Sequence, residues 1–143
     1  GTKASSAEVS LGALVAMSDS ISAFDLHLNY SYHFSGDASG FALGGDLDIF
    51  AAGRSGAIVV PGVRALYDYE VMEAVYLSPF VSAGVALWTD GGIGFNTRVG
   101  FAVKVVLNDL FVASVQPVGV DMSIGTEGFD VSYNLLFGGG IIF

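Results

Sequence analysis

Phe24-Asp25-Leu26-His27-Leu28-Asn29-Tyr30-Ser31-Tyr32-His33-Phe34 alternates apolar or aromatic residues with polar ones without an error. Successive side chains of a strand point to opposite faces, so this period of two makes a strand with one apolar and one polar face. The rhythm returns four more times. Phe41, Leu43, Leu47 and Ile49 oppose Asp46 and Asp48, and Val63, Ala65, Tyr67 and Tyr69 oppose Arg64, Asp68 and Glu70. Phe95, Val99, Phe101, Val103 and Val105 oppose Asn96, Arg98 and Lys104. In the last segment Phe129, Val131, Tyr133, Leu135, Phe137, Ile141 and Phe143 share a face opposite Asp130, Ser132 and Asn134.

Two apolar segments, Glu8 to Met17 and Val75 to Trp88, carry small residues such as Ser10, Gly12, Ser78, Ser82 and Gly84 on the second face. Small inward residues relieve crowding in a narrow barrel. Leu110 to Ile124 changes phase, with Phe111, Ala113 and Val115 on odd positions and Val118, Val120, Met122 and Ile124 on even ones. A bulge near Gln116-Pro117 accounts for the change. Turn signals separate the segments at 18–20, 35–40, 53–56, 71–73, 89–92, 108–109 and 125–128, all of them short. Pro61, Pro79 and Pro117 fall inside predicted strands, where each forfeits a ladder hydrogen bond.

Divided among eight segments, 143 residues give about 18 for each strand and turn, more than the 9 to 11 that a tilted membrane-spanning strand needs. The expected fold is all-β: an antiparallel up-and-down transmembrane barrel of about eight strands, residues 1–143 forming a single domain. Composition decides which face looks out. The chain is 52% hydrophobic and only 13% charged, with 20 glycines and a mean hydropathy of +0.64. In a soluble barrel the Gly, Ala and Ser of the polar faces would have to solvate the whole outer wall, a weak coat. In a membrane barrel they fill the lumen, and the apolar faces meet hydrocarbon. Transmembrane helices are excluded because Gly, Ser, Asp or Pro interrupts every apolar run well before about 20 residues.

Other classes fall away on charge and cysteine. Fourteen acids against five bases give a net charge of −9, which leaves no basic patch for phosphates and argues against nucleic acid as a partner. Without cysteine there is no disulfide framework and no thiolate metal site. No cationic stretch followed by an apolar run opens the chain, so export implies a leader already removed.

The final strand, with alternating aromatics and Phe143 last, resembles the C-terminal signature of bacterial outer-membrane barrels. Leu77-Ser78-Pro79-Phe80-Val81-Ser82-Ala83-Gly84-Val85 is similar to the Pro-aromatic-x-x-x-Gly strand of small barrels of the OmpA/OmpX/Ail type. The resemblance implies a Gram-negative outer membrane as location, membrane lipid as surroundings and the outer-membrane assembly machinery as a partner that reads Phe143. Adhesive members of that type carry long loops, and the turns here are short, so the resemblance implies the fold rather than adhesion.

On the polar faces Asp25, His27, Asn29, His33, Asp46, Asp48, Arg64, Asp68, Glu70, Arg98, Lys104, Asp121 and Asp130 are expected to line the lumen, paired with one another or with water. Tyr30, Tyr32, Phe34, Phe41, Tyr67 and Tyr69 cluster at one end of three strands as a girdle at a membrane interface. Two further chemistries are weighed against a structural or interaction role. His33-Phe34-Ser35 resembles the His-x-Ser of outer-membrane lipid A deacylases, with His as base and Ser as nucleophile, although Gly36 follows where that family has Asn. The excess of acids could instead line a narrow cation-selective path, but an eight-stranded interior is usually filled by side chains. Asp46-x-Asp48 alone supplies too few oxygens for Ca2+. No enzymatic activity, cofactor or metal is therefore expected.

Overall fold

The protein is an eight-stranded antiparallel barrel in a computed structural model that describes residues 5–16, 22–34, 40–51, 57–88, 91–108, 110–125 and 128–143. Side chains are described at all of these except 14–16, 22, 23, 118, 125 and 128–130. The strands are β1 (Ser5–Ala16), β2 (Ser22–His33), β3 (Gly40–Ala51), β4 (Ala57–Met72), β5 (Val75–Trp88), β6 (Ile93–Leu107), β7 (Phe111–Gly125) and β8 (Gly128–Ile142). Each pairs with its neighbours in sequence, and β1 pairs with β8 to close the barrel. The closing seam ends on two hydrogen bonds, Ser5 N to Phe143 O at 2.9 Å and Phe143 N to Ser5 O at 2.8 Å. The turns at Glu73-Ala74 and Asn108–Leu110 lie at this same end, hereafter the near end. Ala74 O accepts from Val106 N, and Leu110 O accepts from Ile142 N, each at 2.8 Å.

Alternation sets the register. Even positions of β1, β3, β4, β5, β6 and β8 and odd positions of β2 face the lumen, and the positions between them face out. In β7 the inward set is Val112, Ser114 and Gln116 in the first half, then Gly119 and Asp121 in the second. The phase change lies at the expected place. Pairing with β8 shifts between Gln116 and Gly119, and pairing with β6 shifts between Phe101 and Val103. The Tyr133 hydroxyl donates to the Pro117 carbonyl, giving this bulge a partner from outside the ladder.

The other two prolines fall on one seam. The β4–β5 ladder steps from Val59↔Leu87 to Gly62↔Gly84 and from Leu66↔Phe80 to Tyr69↔Leu77, and the intervals sit at Pro61 and Pro79. On their other sides Pro61 stays paired with Leu47 and Pro79 with Phe101. Each missing N–H therefore costs a single seam rather than two. Boundaries differ from the sequence expectation at several turns: Gly40, Gly125 and Gly128 belong to β3, β7 and β8, Val71 and Met72 belong to β4, and that turn tightens to Glu73-Ala74 with Ala74 at φ 64°. The expected turns at 18–20 and 53–56 lie outside the described residues, as do 35–39, 89–90, 109 and 126–127 of the other expected turns.

Close approach of neighbouring strands depends on glycine. A Cβ on Gly44 would lie 1.6 Å from the Tyr30 carbonyl oxygen, a backbone atom that cannot swing aside, whereas a Cβ on the adjacent Gly45 finds nothing nearer than 3.8 Å. Gly44→Ala is expected to destabilise the barrel by about 1–3 kcal/mol, the usual cost of overpacking. Gly45→Ala should fall within about 0.5 kcal/mol of the parent, and urea midpoints of refolding in detergent compare the two.

Candidate functional site

The lumen is a filled core of ion pairs rather than of hydrocarbon. Arg98, fully buried on β6, reaches across it and donates from all three nitrogens. Nε binds Asp121 Oδ1 on β7 at 2.9 Å, Nη1 binds Asp48 Oδ1 on β3 at 3.2 Å, and Nη2 binds Asp25 Oδ2 on β2 at 3.4 Å. Asp25 and Asp48 stand on strands on the opposite side of the closed order from β6, so this one side chain straps the barrel across its width. Asn134 extends the cluster by donating to Asp121 and accepting from Gln116.

A second cluster lies towards the near end. Lys104 Nζ is 3.1 Å from Asp68 Oδ1 and 3.6 Å from Glu8 Oε2. His33 Nε2 is 2.5 Å from Asp68 Oδ2, and the Ser78 hydroxyl donates to the same carboxylate. Between the two clusters Arg64 Nε donates to Asp46 Oδ2 at 3.2 Å, with His27 Nε2 at 3.4 Å from that oxygen. The Arg64 guanidinium lies over the Phe80 ring at 4.1 Å, a cation–π contact with an inward aromatic. Two cavities, about 30 Å³ and about 20 Å³, share Glu8 and Lys104 in their walls, and each has room for a single water. Away from the near end Phe50, Val60 and Ala86, with Ile58 and Trp88 packed on them, close the lumen with hydrocarbon.

Of the residues expected in the lumen, Asp25, His27, Asn29, His33, Asp48, Arg64, Asp68, Arg98, Lys104 and Asp121 are buried there, and the Asp46 side chain is 4% exposed. Glu70 is a correction. It has the inward parity of β4, but it stands where the β4–β5 register shifts between Glu70 and Met72, and at that end of the barrel its side chain is exposed. The Asp130 side chain lies outside the described residues. Ser78 and Asn134, already assigned to inward faces, join the network, and so do Glu8 and Gln116, which were not singled out from sequence as luminal. Glu8 had a signal, since it sits between Ser6 and Ser10 on the polar face of β1. His33 points into the lumen at 2% exposure, and Ser35 of the His-x-Ser resemblance lies outside the described residues. Tyr30, Tyr32, Phe34, Phe41, Tyr67 and Tyr69 are all exposed at the near end, where Phe34 and Phe41 stack at 5.7 Å and Tyr30 meets Phe143 at 6.2 Å.

No protein-family model and no curated protein sequence matches the chain. Solved structures do match it. Neisserial surface protein A is similar at a TM-score of 0.70 and 14% identity, over 97% of this chain and 96% of that one. Ail, the attachment invasion locus protein of Yersinia pestis, is similar at 0.64 and 16%, over the whole of both chains. The N-terminal β-barrel domain of Pseudomonas aeruginosa OprF is similar at 0.54 and 17%, over 96% and 97%. At such identities the likeness is one of fold: the chain has the architecture of the small eight-stranded outer-membrane barrels.

Breaking a buried ion cluster by removing its cation leaves the carboxylates uncompensated, at about 3–5 kcal/mol. Arg98→Met is expected to lose that much in urea unfolding of the detergent-refolded barrel. Asp121→Asn keeps the guanidinium and two carboxylates and should lose clearly less.

Proposed function

We propose that the protein is a small barrel of the bacterial outer membrane with a structural or interaction role and no enzymatic activity. Its outer wall faces membrane lipid, and its lumen is a packed, ion-paired filling. The observation that supports this reading most is the inverted distribution of polarity. Charged Arg98 and Asp25 are wholly buried, while Val63 at 65% and Phe95 at 70% exposed stand on the outer wall among Val9, Leu11, Leu43 and Val81. Soluble monomers rarely expose a contiguous apolar patch larger than a few hundred Å², whereas a membrane barrel requires an apolar band around its whole circumference.

On this reading the near-end aromatics form an interfacial girdle, their rings towards hydrocarbon and the tyrosine hydroxyls towards water. Phe143, exposed and paired with Ser5 at the seam, serves as the signal read by the assembly machinery. An even strand number returns the chain to its starting side, so the termini and the near-end turns face the periplasm and the opposite end of the barrel faces outward. The names of two structural neighbours, a surface protein and an attachment invasion locus protein, lend support to a role at the cell surface. Among the described residues no cation patch faces outward to match the heparin analogue that Ail holds in its complex. Arg64, Arg98 and Lys104 are turned inward.

Val63→Lys tests the reading. In lipid a lysine on the outer wall should cost about 2–4 kcal/mol near the midplane, read as a lowered urea midpoint of folding into phosphatidylcholine vesicles. A detergent-free, monodisperse monomer in which Val63→Lys is neutral would place water on the outer wall and sink the proposal.

A further inference from the structure

The lumen carries more carboxylates than cations. Among the described residues Glu8, Asp25, Asp46, Asp48, Asp68 and Asp121 face it together with Arg64, Arg98 and Lys104, six acids against three bases. Uncompensated charge is expensive in a low-dielectric interior, so the excess calls for a positive occupant.

The excess gathers at one place. The carboxyls of Asp25 and Asp48 are within hydrogen-bonding reach of each other, and Arg98 meets only one oxygen of each, Oδ2 of Asp25 and Oδ1 of Asp48. Asp25 is fully buried, and its Oδ1 has no hydrogen-bond partner among the described residues. Beside this pair one ring nitrogen of His27 and one carboxylate oxygen each of Asp46 and Asp48 lie within 4.8 Å of one another. The backbone holds them together: His27 and Asp48 are direct cross-strand partners, and Asp46 points the same way two residues earlier. Arg64 does not fill the gap. It lends Asp46 only Nε, its Nη2 has no hydrogen-bond partner among the described residues, and its guanidinium is held over Phe80. The orphaned Asp25 acceptor calls for a positive partner, whereas the unmet Arg64 donor calls for an acceptor such as water.

We propose that His27, Asp46 and Asp48, with Asp25 as a further oxygen donor, form a luminal site for one first-row divalent cation of the Zn2+ or Mn2+ kind. An imidazole with carboxylates is a ligand set for such ions, softer than the all-oxygen shell that Ca2+ prefers. Tetrahedral ligands at about 2.1 Å stand about 3.4 Å apart, so atoms that now lie within 4.8 Å of one another close on the metal by shifts of up to about 0.8 Å each. Two positive charges offset most of the acidic excess. One water-sized cavity borders the site at His27 and Arg64, and a second lies at His33 and Asp68, with Glu8 and Lys104 common to both. The site lies inside the wall, so it stands or falls independently of what covers the outer face.

The test is titration of the chelator-treated, detergent-refolded full chain with ZnCl2, followed by calorimetry and by X-ray absorption of the loaded protein. The expected result is one Zn2+ per barrel, with imidazole outer-shell scattering and ligands at about 2.0–2.2 Å. His27→Gln and Asp48→Asn should each weaken binding at least about tenfold. His33→Gln, which alters the other histidine of the chain, should leave it unchanged. No saturable binding, binding indifferent to both His27→Gln and Asp48→Asn, or equal loss in His33→Gln would overturn the site, water alone then filling the gap. Should both ligand variants fail to refold, a wild-type absorption spectrum without imidazole scattering overturns it as well.

Discussion

The constraint on which the rest of the structure depends is the removal of the Arg98 guanidinium from water. A buried guanidinium persists only when its donors are met and its charge is balanced, and three carboxylates on three other strands meet those conditions. Because the partners stand on β2, β3 and β7, the strap forms only when the sheet has curled and closed. Closure and charge compensation are therefore one event. The near-end cluster repeats the arrangement with Lys104, which links β6 to Glu8 on β1 and Asp68 on β4.

That filling determines what the barrel can offer its surroundings. Ion pairs and amides occupy the middle of the lumen, Phe50, Val60 and Ala86 occupy one end, and the small cavities beside Glu8 and Lys104 are of water size. The outer wall is left with apolar side chains and aromatics, so its interactions are those of a hydrocarbon surface with polar rims. The two surfaces are coupled through glycine. Where Gly44 meets Tyr30 O and Gly12 meets Leu135 O, neighbouring strands pack backbone to backbone on the lumen side.

The fold was legible because alternation is a local property. The run from Phe24 to Phe34 needs no partner to declare its two faces, and every position in it lies on the side its parity demands. The phase change in the seventh strand was legible for the same reason, since parity is countable. Membership of the lumen was legible but not its wiring: that Arg98 would reach Asp25, 73 residues away, follows from closure rather than from spacing. Glu70 shows the limit of parity, which says which way a side chain points but not whether the barrel still surrounds it there. Inward apolar residues such as Leu66 and Phe80 broke the pattern without a local signal, because their role as a seat for Arg64 exists only in three dimensions.

The bulge in β7 has a consequence for how this chain can vary over evolution. In a strand that alternates strictly, inserting or deleting one residue is a frameshift of faces: everything on one side of the lesion exchanges lumen for exterior, charges included. β7 already contains such a shift between Gln116 and Gly119, absorbed by Pro117 and the hydroxyl of Tyr133. It is thus the strand in which an odd-length indel can be compensated by removing or adding the bulge, while in the perfectly paired β2 only even steps preserve the inside. Length variation among descendants of this sequence should accordingly collect in the turns and at this one point in the wall.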